Sequence, residues 1–144
     1  MRACAALVAV ILLAGLYSCA TEKKVPVEGA WELISQEITT SDSVYTFPAS
    51  EFERQIKIIG KTHFAFVRQD TSQSDPSLAG GGGRYTFDNG IYTEYMEFFE
   101  NPALVGTTLH YNCQFEGDRW TMTGPVNGSD DVGWTLHEVW MKLD

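Results

Sequence analysis

Few side chains in this sequence of 144 residues have the type and spacing that known chemical sites require. The three histidines, His63, His110 and His137, show no i, i+2 or i, i+4 pairing, and no cysteine pair accompanies them. Because metal sites usually draw ligands from such closely spaced residues, we predict no metal site. A G-x-S-x-G nucleophile motif is also missing, and no other pattern indicates a cofactor.

Glu94 is the carboxylate that most needs an explanation. It belongs to segment 91–99, in which each alternating face carries aromatic residues and one carboxylate, so the pattern leaves the buried face open. A buried carboxylate needs a partner or a raised pKa, because isolated burial costs several kcal/mol. Lys57, Arg84 or a tyrosine hydroxyl could be that partner. The cluster is then either a structural ion pair or the specificity element of a binding site.

Composition and charge exclude several classes of protein. The chain is 44% hydrophobic and 20% charged, which is typical of one globular domain rather than of a disordered segment. Acidic residues outnumber basic residues 19 to 10, giving a net charge of −9 that argues against nucleic-acid binding. Cys113 lies on the apolar face of its segment, where a thiol is usually inert.

The N-terminal residues have the pattern of a processing signal. Arg2 precedes a short apolar run, residues 5–16, which is suited to a signal peptide and too short to span a bilayer. The run ends in Leu-Tyr-Ser-Cys at 16–19, which resembles the bacterial lipobox. We therefore predict a signal peptide over 1–18, lipid attachment at Cys19, a tether over 19–28 and a domain over 29–144. Ala20 after the cysteine, by resemblance to lipoprotein sorting signals, favours the outer membrane of the cell envelope.

The remaining chain alternates between apolar and polar residues in about eight segments bounded by turn residues, as antiparallel strands do. The predicted strands are 29–38, 54–60, 62–69, 83–88, 91–99, 107–116, 119–124 and 133–142. Residues 88–90 (Asp-Asn-Gly) and 116–118 (Glu-Gly-Asp) are typical hairpin turns. Because an open sheet would leave two exposed edges, we predict an all-β, closed or nearly closed up-and-down antiparallel barrel of about eight strands.

Two segments interrupt the alternation. Ser50 and Glu53 have the spacing of a capping box, which predicts a short helical turn between strands one and two. Residues 70–83 are rich in Ser, Asp and Gly and end in four glycines. A phosphate-binding loop would need a following helix, whereas a strand follows here, so we predict a flexible hairpin loop.

The first predicted strand begins Gly29-Ala30-Trp31, which resembles the G-x-W signature of the calycin barrels (lipocalins and fatty-acid-binding proteins). The chain is also similar, over 28–144, to small lipocalin-like lipoproteins and secreted proteins of Gram-negative bacteria. The residues that carry this similarity are Lys57-Ile58-Ile59, His63-Phe64, Gly82-Gly83-Arg84-Tyr85, Tyr92-Thr93-Glu94 and Glu138-Val139-Trp140. The resemblance implies a calycin-like fold with Tyr92 and Glu94 pointing inward. It also implies an arginine on the last strand against Trp31; this sequence departs from that pattern, and only Lys142 could serve there.

A barrel of this size is either filled by its own side chains or holds one small ligand, and an apolar interior suits both. Our first hypothesis is a membrane-anchored module that binds a small apolar or amphipathic ligand. The expected site residues are Trp31, Phe64, Phe66, Tyr85, Tyr92, Glu94, Leu109, Tyr111, Trp120 and Met122. The wider inward set adds Leu33, Phe87, Phe115 and Leu136.

Two alternatives remain open at this point. The first is a structural or interaction lipoprotein with a filled barrel, on which exposed aromatics such as Tyr95 and Phe99 dock a protein partner. The second is a small enzyme in which Glu94 acts as acid or base beside Tyr92 or His63.

Overall fold

The computed structural model describes residues 25–48, 51–72, 77–127 and 133–143, and these form an all-β fold. The predicted signal peptide and Cys19 lie outside these residues. The strands are β1 (Gly29–Thr39), β2 (Val44–Phe47), β3 (Glu53–Ile59), β4 (His63–Asp70), β5 (Ser77–Asp88), β6 (Ile91–Phe99), β7 (Thr108–Glu116), β8 (Arg119–Asn127) and β9 (Gly133–Lys142). Within the described ranges, no helix is both long and apolar enough to cross a bilayer.

The strands form a closed eight-stranded antiparallel barrel with one additional short strand, β2. Each strand from β3 to β9 pairs with the next along the chain, which confirms the predicted up-and-down order. β1 then pairs with β9 from Trp31 opposite Lys142 to Thr39 opposite Thr135, so the first and last strands close the barrel. Closure leaves the eight barrel strands without the long free edges of an open sheet.

β1 has two neighbours along its other edge. Its second half pairs with β2, from Gln36 opposite Phe47, and its first half pairs with β3, from Gly29 opposite Ile59. β2 and β3 therefore run successively along the same edge of β1. The predicted helical turn falls between β2 and β3. The prediction is wrong for residues 51–53, because Glu51 and Phe52 form a non-helical turn and β3 begins at Glu53. Ser50 lies outside the described residues. Among the described residues, one 3-10 turn occurs, at Pro102–Leu104 after β6.

The turns between neighbouring strands follow the sequence closely. Asn89 and Gly90 both have positive φ, 49° and 80°, in the hairpin between β5 and β6. Such a two-residue turn matches the twist of the strands that flank it, and Asn-Gly is the preferred pair for it. Gly117, with φ 60°, has the same function between β7 and β8.

The glycine run at 80–83 is part of β5, so the prediction of a flexible loop there is wrong. A Cβ on Gly82 would lie 2.5 Å from the carbonyl oxygen of Phe64, and one on Gly83 would collide with the carbonyl oxygen of Tyr95. The strands on both sides of β5 approach too closely for a side chain at these positions. The glycines therefore serve the tight curvature of the barrel rather than chain mobility.

Two β-bulges change which residues point inward. A register shift between Leu33 and Ser35 places Gln36 on the inner face of β1. A second shift, opposite Gly82 and Gly83, affects the end of β6. There Phe98 is 70% exposed, and Phe99 packs against the core. The prediction that Phe99 lies outside is therefore wrong, because an inserted residue reverses the alternation that follows it.

Candidate functional site

The interior of the barrel divides into two halves along its axis. The half next to the turns at 60–62, 88–90 and 117–118 is filled by aromatic side chains, and we call it the aromatic half. Its members are Trp31, Phe64, Tyr85, Phe87, Tyr92, Phe115, Trp120 and Trp140. Trp120 is fully buried at their centre, with ring centroids 5.3 Å from Trp31, 5.3 Å from Tyr92 and 6.2 Å from Trp140.

The residues that precede β1 close the end of the aromatic half. Val27 is fully buried, and its carbonyl oxygen accepts a hydrogen bond from the Trp31 indole at 2.8 Å. The Lys142 ammonium lies 4.9 Å from the centre of the Trp31 ring and donates to the Glu28 carbonyl oxygen at 3.3 Å. Lys142 thus lies against Trp31, in the position where the resemblance implies an arginine.

The opposite half contains a cavity of about 280 Å³, and we call it the cavity half. Its walls are largely apolar, and its opening lies near the 3-10 turn, where Glu100 and Asn101 belong to the lining. The apolar lining residues are Ile38, Phe66, Ala79, Met96, Phe99, Leu104, Leu109, Met122, Val126, Trp134 and Leu136. This volume lies just below the range of about 300–1,000 Å³ that is common for small-molecule pockets.

Three charged residues form the boundary between the two halves, and we call Lys57, Glu94 and Glu138 the floor layer. All three line the cavity and are at most 4% exposed. The Lys57 ammonium donates to Glu94 Oε1 at 2.9 Å and lies 4.8 Å from the centre of the Trp140 ring. Of the partners considered for Glu94, Lys57 forms the ion pair and the Tyr92 hydroxyl also lies beside Glu94 and lowers its pKa, whereas Arg84 pairs with Glu97 outside the barrel.

The floor layer contains one cation and two carboxylates, and this excess of negative charge affects the pKa values of Lys57 and Glu94. Burial disfavours the Lys57 ammonium, but the charges of Glu94 and Glu138 outweigh this, so the pKa of Lys57 is raised. Burial also raises the pKa of Glu94, and it does so more strongly than the nearby ammonium lowers it. The hydroxyls of Tyr92 and Tyr111 have pKa values well above the ordinary value because they are buried beside Glu94.

Glu138 begins a chain of hydrogen bonds that runs from the floor layer up the cavity wall. Its Oε2 accepts from the Trp140 indole at 2.9 Å, and its Oε1 accepts from the Gln36 amide at 2.6 Å. The Arg68 guanidinium in turn donates to Gln36 Oε1 at 3.0 Å and to Gln55 Oε1 at 2.7 Å. Arg68 also lies 4.6 Å from the centre of the Phe47 ring. Such a network holds each polar group in a fixed orientation around the cavity.

The ten expected ligand-binding residues all lie in the interior and divide between the two halves. The cavity is lined by Phe66, Glu94, Leu109, Tyr111 and Met122. The other five belong to the aromatic half: Trp31, Phe64, Tyr85, Tyr92 and Trp120. Tyr92 Oη and Trp120 Nε1 are buried without a well-oriented hydrogen bond to any described residue. The four residues of the wider inward set, Leu33, Phe87, Phe115 and Leu136, also belong to the core.

Sequence reasoning missed most of the polar side chains that line the cavity: Gln36, Gln55, Arg68 and Glu138. In β3 the alternation is reversed, since Gln55 and Lys57 are buried while Ile58 is 61% exposed. A pattern that places apolar residues inside assigns this strand to the wrong face. Gln55, Lys57 and Ile59 occupy alternate positions of β3 and therefore share one face. That face can be recognised as the inner one only when it is known which residues of a neighbouring strand point inward.

The remaining candidate groups lie apart from the cavity. His110 and His137 are exposed, and their ring nitrogens pair with the hydroxyls of Thr93 and Thr123 on neighbouring strands. In the described ranges, no three His, Cys, Asp or Glu residues form a group that could hold a metal ion. Burial raises the pKa of the Cys113 thiol.

Comparisons with known proteins do not assign the chain to a protein family. Neither the models of known protein families nor the curated proteins gave a match. The chemistry of the site must therefore be argued from its own residues.

Proposed function

We propose that this protein is a binding module whose barrel holds one small apolar or amphipathic molecule in the cavity half. The observation that carries the proposal is the shape and lining of that cavity. It has apolar walls, an opening at one end, and polar groups that converge on its floor and on one wall. Small-molecule sites combine these same features, because apolar walls supply affinity and a few placed polar groups fix orientation.

The division of the interior supports this proposal over a filled barrel. The aromatic half shows that these strands can be packed with large rings such as Trp120 and Trp140. In the cavity half the equivalent inward positions carry smaller side chains such as Ala79, Leu109 and Val126. The space between them is the cavity of about 280 Å³.

Binding can be tested with the neutral fluorescent probe N-phenyl-1-naphthylamine. We expect its emission to increase on titration into the purified protein and to saturate at one site. Leu109→Trp places an indole in the cavity wall and should reduce the affinity by about tenfold or more. Ile58→Trp is the matched control, because it adds the same indole on the outer surface, where Ile58 is 61% exposed.

Two results would count against the binding function. One is the absence of saturable emission with the wild-type protein. The other is an equal affinity for the probe in Leu109→Trp and Ile58→Trp, provided that both variants retain the wild-type near-ultraviolet circular dichroism. The second result would place the probe outside the cavity.

We further propose that a lipid on Cys19 anchors the protein to a bacterial envelope membrane. The support is the apolar run at 5–16 followed by Leu-Tyr-Ser-Cys at 16–19. Metabolic labelling with an alkyne fatty acid should label the wild-type protein in a bacterial host and leave Cys19→Ser unlabelled. A wild-type protein that takes up no label, while a known lipoprotein in the same cells does, would contradict the anchor.

A further inference from the structure

The carboxylates of the floor layer are already engaged by protein donors. Glu94 Oε1 accepts from Lys57, while the two oxygens of Glu138 accept from Gln36 and from the Trp140 indole. The wall amide of Gln55 likewise uses its oxygen to accept from Arg68. Most of the strong acceptors around the cavity therefore already have a donor.

The donors around the cavity are in the opposite situation. A guanidinium has five N–H groups, and Arg68 uses one in its bond to Gln55 and one in its bond to Gln36, leaving three without a hydrogen bond to the described residues. The amide nitrogen of Gln55 is a further donor in the same wall, and Gln55 is only 3% exposed. A ligand in this cavity thus meets donors that can bind acceptor atoms.

The charges of the cavity interior cancel. Lys57 and Arg68 contribute two positive charges and Glu94 and Glu138 contribute two negative charges, so the sum is zero. Arg68 has no carboxylate partner in direct contact among the described residues, but Gln36 connects it to Glu138 through two hydrogen bonds. At the opening, Glu100 adds a negative charge, and the whole chain has a net charge of −9.

From this arrangement we infer that the ligand is an uncharged molecule with an oxygen acceptor, such as a ketone, lactone or amide, which is received by Arg68 in the cavity wall. The inference rests on the proposed binding function and specifies its ligand. A carbonyl oxygen can accept from up to two of the free N–H groups of Arg68 without adding charge to a balanced interior.

The alternative ligand charges are less favourable for physical reasons. A carboxylate would bring an uncompensated negative charge into a site of low dielectric beside Glu94 and Glu138, where like charges repel strongly. It would also have to pass Glu100 at the opening. A cation would meet the guanidinium of Arg68 and would compete with Lys57 for Glu94.

Two probes with the same number of carbon and oxygen atoms can test this inference. γ-Nonalactone is neutral, whereas nonanoate is a carboxylate at neutral pH. In competition against N-phenyl-1-naphthylamine, we expect the lactone to bind the wild-type protein about tenfold more tightly than nonanoate, equivalent to about 1.4 kcal/mol. Arg68→Gln should weaken lactone binding several-fold, because it removes the free guanidinium donors.

Glu138→Gln provides the sharper test, because it removes one negative charge and leaves the interior at +1. We expect this variant to reduce or reverse the preference, with nonanoate gaining affinity. Glu97→Gln is the matched control: it removes the same charge on the outside of the barrel, where Glu97 pairs with Arg84. It should leave the preference unchanged.

The outcomes separate this inference from the proposed function. If the probe binds in the cavity but nonanoate displaces it as well as or better than the lactone, the inference is overturned and the binding function stands. The inference is also overturned if neither compound displaces the bound probe, or if Arg68→Gln leaves lactone affinity unchanged in a folded protein. Failure of the probe itself to bind would overturn the binding function.

Discussion

The aromatic half and the cavity half are built from the same strands but differ in what those strands carry inward. In the aromatic half, Trp120 is surrounded by rings from β1, β6, β7 and β9 at centroid distances between 5.3 and 6.2 Å. In the cavity half, side chains such as Leu109 and Leu136 line a space of about 280 Å³. Side-chain volume, together with the bulges that turn individual residues inward, therefore decides which half of the barrel is open.

The contrast also indicates that the two halves contribute differently to stability and to the proposed binding function. Large buried rings contribute most of the apolar area that is removed from water, so we expect the aromatic half to supply most of the stability. The cavity half contributes less stability, because its open space leaves apolar side chains without packing partners. The floor layer separates them and gives the cavity a polar, hydrogen-bonded base.

The largest expected effect is a loss of stability when the aromatic half is hollowed. Trp120→Ala removes a fully buried ring and should lower the free energy of unfolding by about 4 kcal/mol. Leu136→Ala in the cavity wall should cost about 2 kcal/mol, because part of its surface already faces open space. Urea denaturation of both variants measures the difference. Equal losses would show that the two halves do not differ in packing as described.

The next effect concerns the floor layer. Lys57→Met leaves Glu94 buried without its cation, and we expect the free energy of unfolding to fall by about 3 kcal/mol. The double variant Lys57→Met with Glu94→Met should recover part of that loss, because Glu94 no longer stays buried without its cation, whereas Glu138 remains buried in the floor layer. Urea denaturation again provides the measurement. If Lys57→Met were as stable as the wild type, the ion pair between Lys57 and Glu94 would not stabilise the floor layer.

A smaller effect is expected in the pH dependence of stability. Burial raises the pKa of Glu94 above 4.5, so the folded state retains its proton when the unfolded chain has already lost it. The contribution of Glu94 to stability is therefore greatest below about pH 4.5 and decreases as the pH rises through the raised pKa. Glu94→Gln lacks this titration. The stability of the wild type relative to Glu94→Gln should thus decrease as the pH rises above about 4.5, and an increase would contradict this assignment.

The smallest effect is expected outside both halves. Arg84 and Glu97 form an ion pair of 2.7 Å on the outer surface, where the Arg84 side chain is 64% exposed. Arg84→Ala should change the free energy of unfolding by only about 0.5 kcal/mol, because solvent screens the pair. Thermal denaturation at low and high salt tests this. A loss as large as that of Lys57→Met would show that the outer surface also determines stability.

Much of the barrel could be predicted because antiparallel strands and their hairpin turns have local sequence patterns. The turn at Asn89 and Gly90 and the alternation through Leu109 and Tyr111 depend only on neighbouring residues. The glycines at 80–83 were misread for the opposite reason, since their function is to allow the approach of Phe64 and Tyr95, which are distant in the sequence. Phe99 was placed outside because a bulge has no reliable signal in the alternation that it interrupts.

The candidate site was predictable only in part. Glu94 and its choice between partners followed from the cost of burying a carboxylate. Arg68, Gln55 and Gln36 could not be identified, because each is a polar residue in a strand whose inward phase depends on register with the other strands. The arrangement that connects Arg68 to Glu138 through Gln36 joins β4, β1 and β9, which meet only in the closed barrel.

The sequence by itself determined the class of fold, the order of the strands and the enclosure of Trp31 inside the barrel, because these depend on local alternation, turn chemistry and apolar composition. Only the tertiary structure decided where the interior is filled and where it is open. That outcome depends on the volumes of side chains from all strands summed at each level of the barrel, and on the bulges that rotate individual residues inward. The same closure decided which charges meet, since Lys57 and Glu94 are 37 residues apart and become partners only when β3 and β6 face each other across the interior.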